Sequence, residues 1–69
     1  MKYRQIIAIL EQHDFKLVRH GATSHRQYEG TVNGERKMVT VSGRDGDDIK
    51  PENLASMKRQ SGLPKKVFR

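Results

Sequence analysis

Residues 15–42 decide the fold, and they read FKLVRHGATSHRQYEGTVNGERKMVTVS. Three segments of this stretch are expected to be β-strands: the first alternates its faces, the second follows a short turn, and the third carries Val39, Thr40 and Val41, which suit a pleated, half-buried surface. We expect these strands at Phe15–Arg19, at about Ser24–Glu29 and at about Arg36–Ser42. In the first strand, side-chain alternation places Phe15, Leu17 and Arg19 on one face and Lys16 and Val18 on the other.

The connections between these strands are short. Gly21, Ala22 and Thr23 form the first turn, and residues 30–34 (GTVNG) form the second. Asn33-Gly34 is a strong hairpin signal because both residues tolerate a positive φ. Short connections between consecutive strands indicate an antiparallel meander.

Helical patterns flank the strands on both sides. Tyr3, Ile6, Ile7 and Leu10 recur at helical spacing, which predicts a helix from about Met1–Tyr3 to His13-Asp14. After a polar loop at 42–50, Pro51 suits the first turn of a second helix. Its buried stripe is expected at Leu54, Met57 and Ala55, and Gly62 is expected to end it as a left-handed cap.

The predicted fold class is therefore α+β, with the order αβββα of a double-stranded-RNA-binding domain. It consists of a three-stranded antiparallel sheet with two helices on one face and the other face open. Sixty-nine residues suffice for a single domain, 1–69. The sequence does not determine whether the tail at 64–69 is ordered or flexible.

Composition limits the function classes. Fourteen Lys and Arg against eight Asp and Glu give a formal charge of +6, which favours polyanionic partners such as nucleic acid. The absence of cysteine excludes disulfides and thiolate metal sites. No apolar run approaches the ~20 residues of a membrane span, and the N-terminus does not resemble a signal peptide. We therefore expect a soluble cytoplasmic protein.

The order of segments resembles a known family over about residues 2–63. A Ser24-His25 pair is followed three places later by Tyr28, and then come Val39-Thr40-Val41 and a last helix that ends KRQSGL at 58–63. This arrangement resembles the HicA toxins of HicA–HicB toxin–antitoxin pairs. The resemblance implies an mRNA interferase of a type II pair that needs no metal or other cofactor and is neutralised by a HicB-like antitoxin.

The resemblance also implies roles for individual residues. In the family's Gly-Ser-His-His-x-Phe type motif, Ser24 takes the serine, His25 the first and catalytic histidine, and Tyr28 the aromatic position. Here Thr23 replaces the glycine and Arg26 the second histidine. The stretch after the third strand, which often carries proline and histidine in the family, is SGRDG at 42–46.

His25 suits RNA cleavage on chemical grounds as well. If Tyr28 points into the core, strand alternation puts Arg26 on its side and displays His25 on the open face. The ordinary pKa of a histidine, about 6.5, allows it to exchange protons with a ribose hydroxyl near neutral pH. A nearby cation must then stabilise charge on the phosphate, and Arg26, Lys37 and Arg19 are the candidates.

The predicted RNA contacts extend beyond this strand. The residues expected to contact RNA are Arg19, Ser24, Arg26, Lys37, Lys58, Arg59, Lys65 and Lys66. The cations after residue 57 have two interpretations. They are either solvated residues that stabilise the end of the last helix, or a basic patch that binds the phosphates of RNA. His13 and His20 are interpreted as structural, although His20 could approach His25 across the turn. The alternative function is a non-catalytic RNA-binding or protein-interaction module of the same fold.

Overall fold

The computed structural model describes residues 1–21 and 25–68. Its elements are helix α1 (Tyr3–Gln12), strands β1 (Lys16–His20), β2 (His25–Val32) and β3 (Glu35–Ser42), helix α2 (Pro51–Ser61) and a short 3₁₀ helix (Lys65–Phe68). The strands form one antiparallel sheet in the order β1-β2-β3. The predicted α+β class and αβββα order are confirmed, and the arrangement is consistent with a double-stranded-RNA-binding-like fold.

The core lies between one face of the sheet and the helices. Helix α1 contributes Tyr3, Ile6, Ile7 and Leu10, which are all buried as their spacing predicts. The other buried hydrophobic side chains of the described residues are Phe15, Tyr28, Val39, Val41, Ile49, Met57 and Phe68. Because Tyr28, Val39 and Val41 point into this core, the opposite face of the sheet stays exposed.

The β2–β3 hairpin is tighter than the sequence indicated. Asn33 and Gly34 have φ values of 53° and 79° and alone separate the two strands, so the predicted connection at 30–34 was too long. Gly30 is a buried strand residue: a Cβ there would lie 2.7 Å from ring atoms of Phe15. The sequence suggested a turn glycine, whereas this glycine provides space for an aromatic ring.

Strand β1 departs from regular alternation. It pairs Leu17 with Tyr28 but Arg19 with Gln27, so the register shifts at Val18. Since directly paired residues share a face, the irregularity moves Arg19 to the side opposite Leu17. The prediction that Phe15, Leu17 and Arg19 share one face was therefore wrong. Phe15 precedes the strand and is buried.

The ends of α2 agree with the sequence. Pro51 occupies its first turn, and Gly62 ends it with φ 68° in the left-handed region. Met57 is buried and Leu54 half-buried, but Ala55 is exposed, so its place in the predicted stripe was wrong.

Ser61 occupies the core-facing position on α2 that the stripe prediction overlooked. This residue is fully buried. Its hydroxyl donates to the Lys58 carbonyl at 2.8 Å and accepts from the Leu63 amide at 3.2 Å. These two bonds offset the cost of burying a polar group.

The loop after β3 is fastened to the start of α1. The amides of Tyr3 and Arg4 donate to the carbonyls of Asp47 and Asp45, each at 3.1 Å. These bonds satisfy amides that lack a partner in the first turn of a helix. In the tail, Phe68 is buried in the core. None of the described helices is long and apolar enough to span a membrane.

Candidate nucleic-acid site on the open sheet face

The uncovered face of the sheet presents mostly polar side chains. We call it the open sheet face, and the register assigns it Lys16, Arg19, His25, Gln27, Glu29, Thr31, Arg36, Met38, Thr40 and Ser42. Strand alternation holds side chains at fixed spacings, with direct cross-strand neighbours about 4.5–5.5 Å apart at Cα or Cβ. The face can therefore position several functional groups relative to one another.

His25 begins β2 and is exposed on this face. It is paired with Ser42 across the β2–β3 ladder, and Gln27 follows it on the same face. The Gly21 amide donates to the His25 carbonyl at 3.0 Å, which fixes the backbone where β2 begins. The histidine thus combines an exposed side chain with an anchored main chain. Its motif neighbour Ser24, like Ala22 and Thr23 of the predicted turn, lies outside the described residues.

Arg19 is the predicted cation that joins His25 on the open sheet face. It lies opposite Gln27, which makes it a diagonal neighbour of His25. Diagonal positions are about 7–8 Å apart, within reach of a long side chain. Arg19 is also exposed, so its guanidinium can approach a ligand bound over His25.

Arg26 and Lys37 lie on the other side of the sheet. The Arg26 guanidinium donates to the Asp45 carboxylate at 2.6 Å and to the Gly43 carbonyl at 3.3 Å, and its side chain is only 15% exposed. Arg26 therefore fastens the loop after β3. The Lys37 ammonium is 3.1 Å from the Glu35 carboxylate. The structure does not bring these two cations together with His25.

The C-terminal cations occupy a separate groove along α2. This basic groove has a volume of about 910 Å³ and contains Lys58, Arg59 and Lys65 over an apolar floor of Pro51, Leu54, Ala55 and Leu63. The Lys58 ammonium lies 5.7 Å from the centre of the Phe68 ring, close enough for a cation–π contact. Lys66 is exposed beside Lys65. None of these four cations belongs to the open sheet face.

The other two histidines have different surroundings. His13 Nδ1 is 2.9 Å from the Ile9 carbonyl, which ties its ring to the end of α1. His20 is exposed and paired with Arg26, so the register does not set it opposite His25. Within residues 1–21 and 25–68, no three His, Asp or Glu side chains are grouped as metal ligands.

Tyr28 supports the sheet from the core side. Burial raises the pKa of its hydroxyl above the ordinary value; the charge of Arg26 opposes this shift, while Glu11 and Asp45 add to it. A phenol with a raised pKa stays protonated at neutral pH. Tyr28 is buried on the core side of the sheet, so it packs beneath the open sheet face and does not lie on it.

The register identifies two open-face residues that sequence reasoning missed, Thr40 and Ser42. Together with Gln27, which strand alternation already places on the face of His25, they surround His25 with uncharged hydrogen-bonding groups. Their position opposite His25 and Gln27 could have been predicted from the Asn33-Gly34 turn. A two-residue turn at that point pairs residues at equal distances on either side, so His25 must face Ser42 and Gln27 must face Thr40.

Together, these features define a small basic α+β domain of the double-stranded-RNA-binding-like class, with an exposed histidine on its open face. A family model described as the HicA toxin of bacterial toxin–antitoxin systems matches residues 3–63. The chain therefore belongs to the HicA toxin family. Members of this family are ribonucleases that target mRNA and pair with HicB antitoxins. No curated protein and no solved structure matched the chain.

Proposed function

We propose that this chain is a metal-independent endoribonuclease that cleaves mRNA with His25 as its general acid or base. The observation that carries the proposal is the exposed position of His25 on a polar sheet face, next to Arg19, in a chain of the HicA family. Because mRNA is the proposed substrate, the cytoplasm is the proposed location. A HicB-like antitoxin is the proposed neutralising partner.

The reaction uses the nucleophile that RNA itself carries. His25 accepts the proton of a 2′-hydroxyl, or protonates the leaving oxygen, as the 2′-oxygen attacks the adjacent phosphorus. The bond from phosphorus to the 5′-oxygen breaks, and that oxygen leaves with a proton. The products are a 2′,3′-cyclic phosphate and a 5′-hydroxyl end. Positioning and proton transfer suffice for this chemistry, and neither step requires a metal.

Arg19 is the favoured electrostatic partner. Its guanidinium is always charged and presents several donors that match the geometry of a phosphate. Arg26 is occupied by Asp45 and Gly43, and Lys37 by Glu35. The register also assigns both to the opposite side of the sheet. We therefore assign stabilisation of the phosphate charge to Arg19, with Arg26 as a structural residue.

Analysis of the product ends tests the proposal directly. The purified chain is incubated with single-stranded RNA in the presence of EDTA, and the new ends are identified by enzymatic labelling and mass spectrometry. We expect 2′,3′-cyclic phosphate and 5′-hydroxyl ends, formed equally well with and without the chelator. Products with 5′-phosphate ends, or no cleavage once EDTA is added, would overturn this mechanism. RNA binding without any cleavage would favour the non-catalytic binding module instead.

A further inference from the structure

A second groove lies between α2 and the outer edge of β3. Its volume is about 260 Å³, and Thr40, Ser42, Asn53, Ser56 and Gln60 supply its polar lining. Tyr3 and Met57, both buried, supply an apolar wall. We call this feature the β3–α2 groove. Unlike the basic groove, it is lined by side chains without formal charge.

We propose that the β3–α2 groove binds a nucleobase of the RNA substrate. Phosphates are recognised mainly by cations, and this lining provides none. An uncharged, planar ligand with hydrogen-bonding edges fits it better. Single-stranded RNA offers such a ligand, because its bases can be splayed out and bound through their edges and faces. Side-chain amides such as those of Asn53 and Gln60 are common readers of base edges.

One of these amides already has a fixed orientation. The Thr40 backbone amide donates to Gln60 Oε1 at 3.0 Å, across the outer edge of β3. Since the oxygen of Gln60 is the acceptor in this bond, its NH₂ group remains as the donor side of the amide. The groove therefore presents a donor whose position is set by the edge of the sheet, which reduces the ordering cost of recognition.

The position of the groove connects it to the proposed chemistry. Ser42 lines the groove and is also the cross-strand partner of His25. Such partners have Cα atoms about 4.5–5.5 Å apart. A nucleotide whose ribose lies at His25 can therefore place its own base, or the next one, in the β3–α2 groove. This inference rests on the proposed ribonuclease function and adds a source of sequence preference to it.

Two substitutions alter the lining with little risk to the fold. Asn53→Ala removes an exposed amide and places a better helix former in α2. Gln60→Glu keeps an oxygen for the Thr40 amide but replaces the NH₂ donors by an acceptor. Gln12→Glu, at an exposed glutamine in the last turn of α1, is the matched control for the added negative charge.

The experiment measures base preference in two ways. Cleavage sites are sequenced from a randomised single-stranded RNA pool, and binding to oligo(A), oligo(C), oligo(G) and oligo(U) is measured on a His25→Ala background. We expect the wild type to prefer certain bases at one position beside the cut. Asn53→Ala and Gln60→Glu should change that preference about fivefold or more, since a good base contact provides discrimination of this order. Gln12→Glu should leave the preference unchanged.

Three outcomes would overturn the inference: a wild type without base preference, variants that keep the wild-type preference, or an equal loss of affinity for all four oligonucleotides. These outcomes are distinct from failure of the proposed function. If the wild type cleaves no RNA, the ribonuclease proposal fails. The four binding measurements then still decide whether the groove recognises a base.

Discussion

The open sheet face and the basic groove hold their functional groups in different ways. On the sheet face, the register fixes His25, Arg19 and Gln27 at set spacings on strands that are hydrogen-bonded to each other. In the basic groove, Arg59 and Lys65 carry their charges on long, flexible stems over an apolar floor. Catalysis requires reacting groups at fixed positions, whereas attraction of a polyanion such as RNA requires only positive charge. From this difference we propose that the sheet face carries catalysis and that the basic groove provides sequence-independent affinity for RNA.

The largest effect is expected from the sheet face. His25→Ala should lower the rate of RNA cleavage at least 100-fold, because general acid–base catalysis contributes about 10²–10⁴. RNA affinity should change little, since the cations remain. The rate is measured with a fluorescently labelled single-stranded RNA, and the affinity by anisotropy.

His20→Ala is the matched control for this measurement. It removes another exposed histidine from the same sheet, at a position paired with Arg26. We expect nearly wild-type cleavage from it, and circular dichroism should show that both variants are folded. Equal rates for the wild type and the His25 variant would remove His25 from the mechanism. In cells, the His25 variant should no longer arrest growth but should still bind the antitoxin.

A smaller effect is expected when the charge near His25 is removed. Arg19→Gln should lower the cleavage rate about tenfold or more, because an electrostatic contact to a developing charge acts mainly in the transition state. Arg36→Gln is the matched control. Arg36 lies on the same face, but its guanidinium is 2.9 Å from the Glu29 carboxylate, and it pairs with Thr31 near the hairpin.

The two arginine variants separate position from charge. Both lose one positive charge from the open sheet face, so a general electrostatic effect should lower their rates equally. If only Arg19→Gln is slow at saturating RNA, the diagonal position beside His25 is what matters. Equal rates for the two variants would contradict the assignment of Arg19.

Much of the fold could be predicted because its signals are local. The apolar stripe of α1, the Pro51 start and the Gly62 end of α2 each follow from a few neighbouring residues. The irregularity at Val18 and the role of Gly30 could not be predicted in this way. The role of Gly30 depends on the packing of the Phe15 ring against its backbone, and the irregularity at Val18 is visible only in the pairing of β1 with β2.

The candidate site could be predicted only in part for the same reason. His25 follows from the motif, and its exposure follows from the alternation set by Tyr28. Which cation accompanies it depends on the register of β1, where the irregularity moves Arg19 to the open sheet face. The sequence also does not show that Arg26 holds the loop after β3, because Asp45 lies nineteen positions further along the chain.

The smallest effect is expected from the basic groove, and it should appear in the salt dependence of binding. Replacing both Arg59 and Lys65 by Gln should reduce the slope of log affinity against log salt by about 0.7 for each lost phosphate contact on single-stranded RNA. Lys58 is left in place because replacing it would also remove its contact with the buried Phe68 ring. An effect on packing could then not be distinguished from an effect on charge. The cleavage rate at saturating RNA should stay within about twofold of wild type, since the groove does not include His25.

A second double variant separates the groove from net charge. The double variant Lys2→Gln with Arg4→Gln also removes two positive charges, but at the start of α1 and outside the basic groove. If the groove tracks phosphates, the Arg59 and Lys65 pair should reduce the slope more than this control. Equal slopes would mean that only the overall charge attracts RNA. If the groove variant keeps the wild-type slope of log affinity against log salt, Arg59 and Lys65 do not contact RNA phosphates, because counterion release occurs only where cations contact phosphates. The two cations would then be solvated residues at the end of the helix.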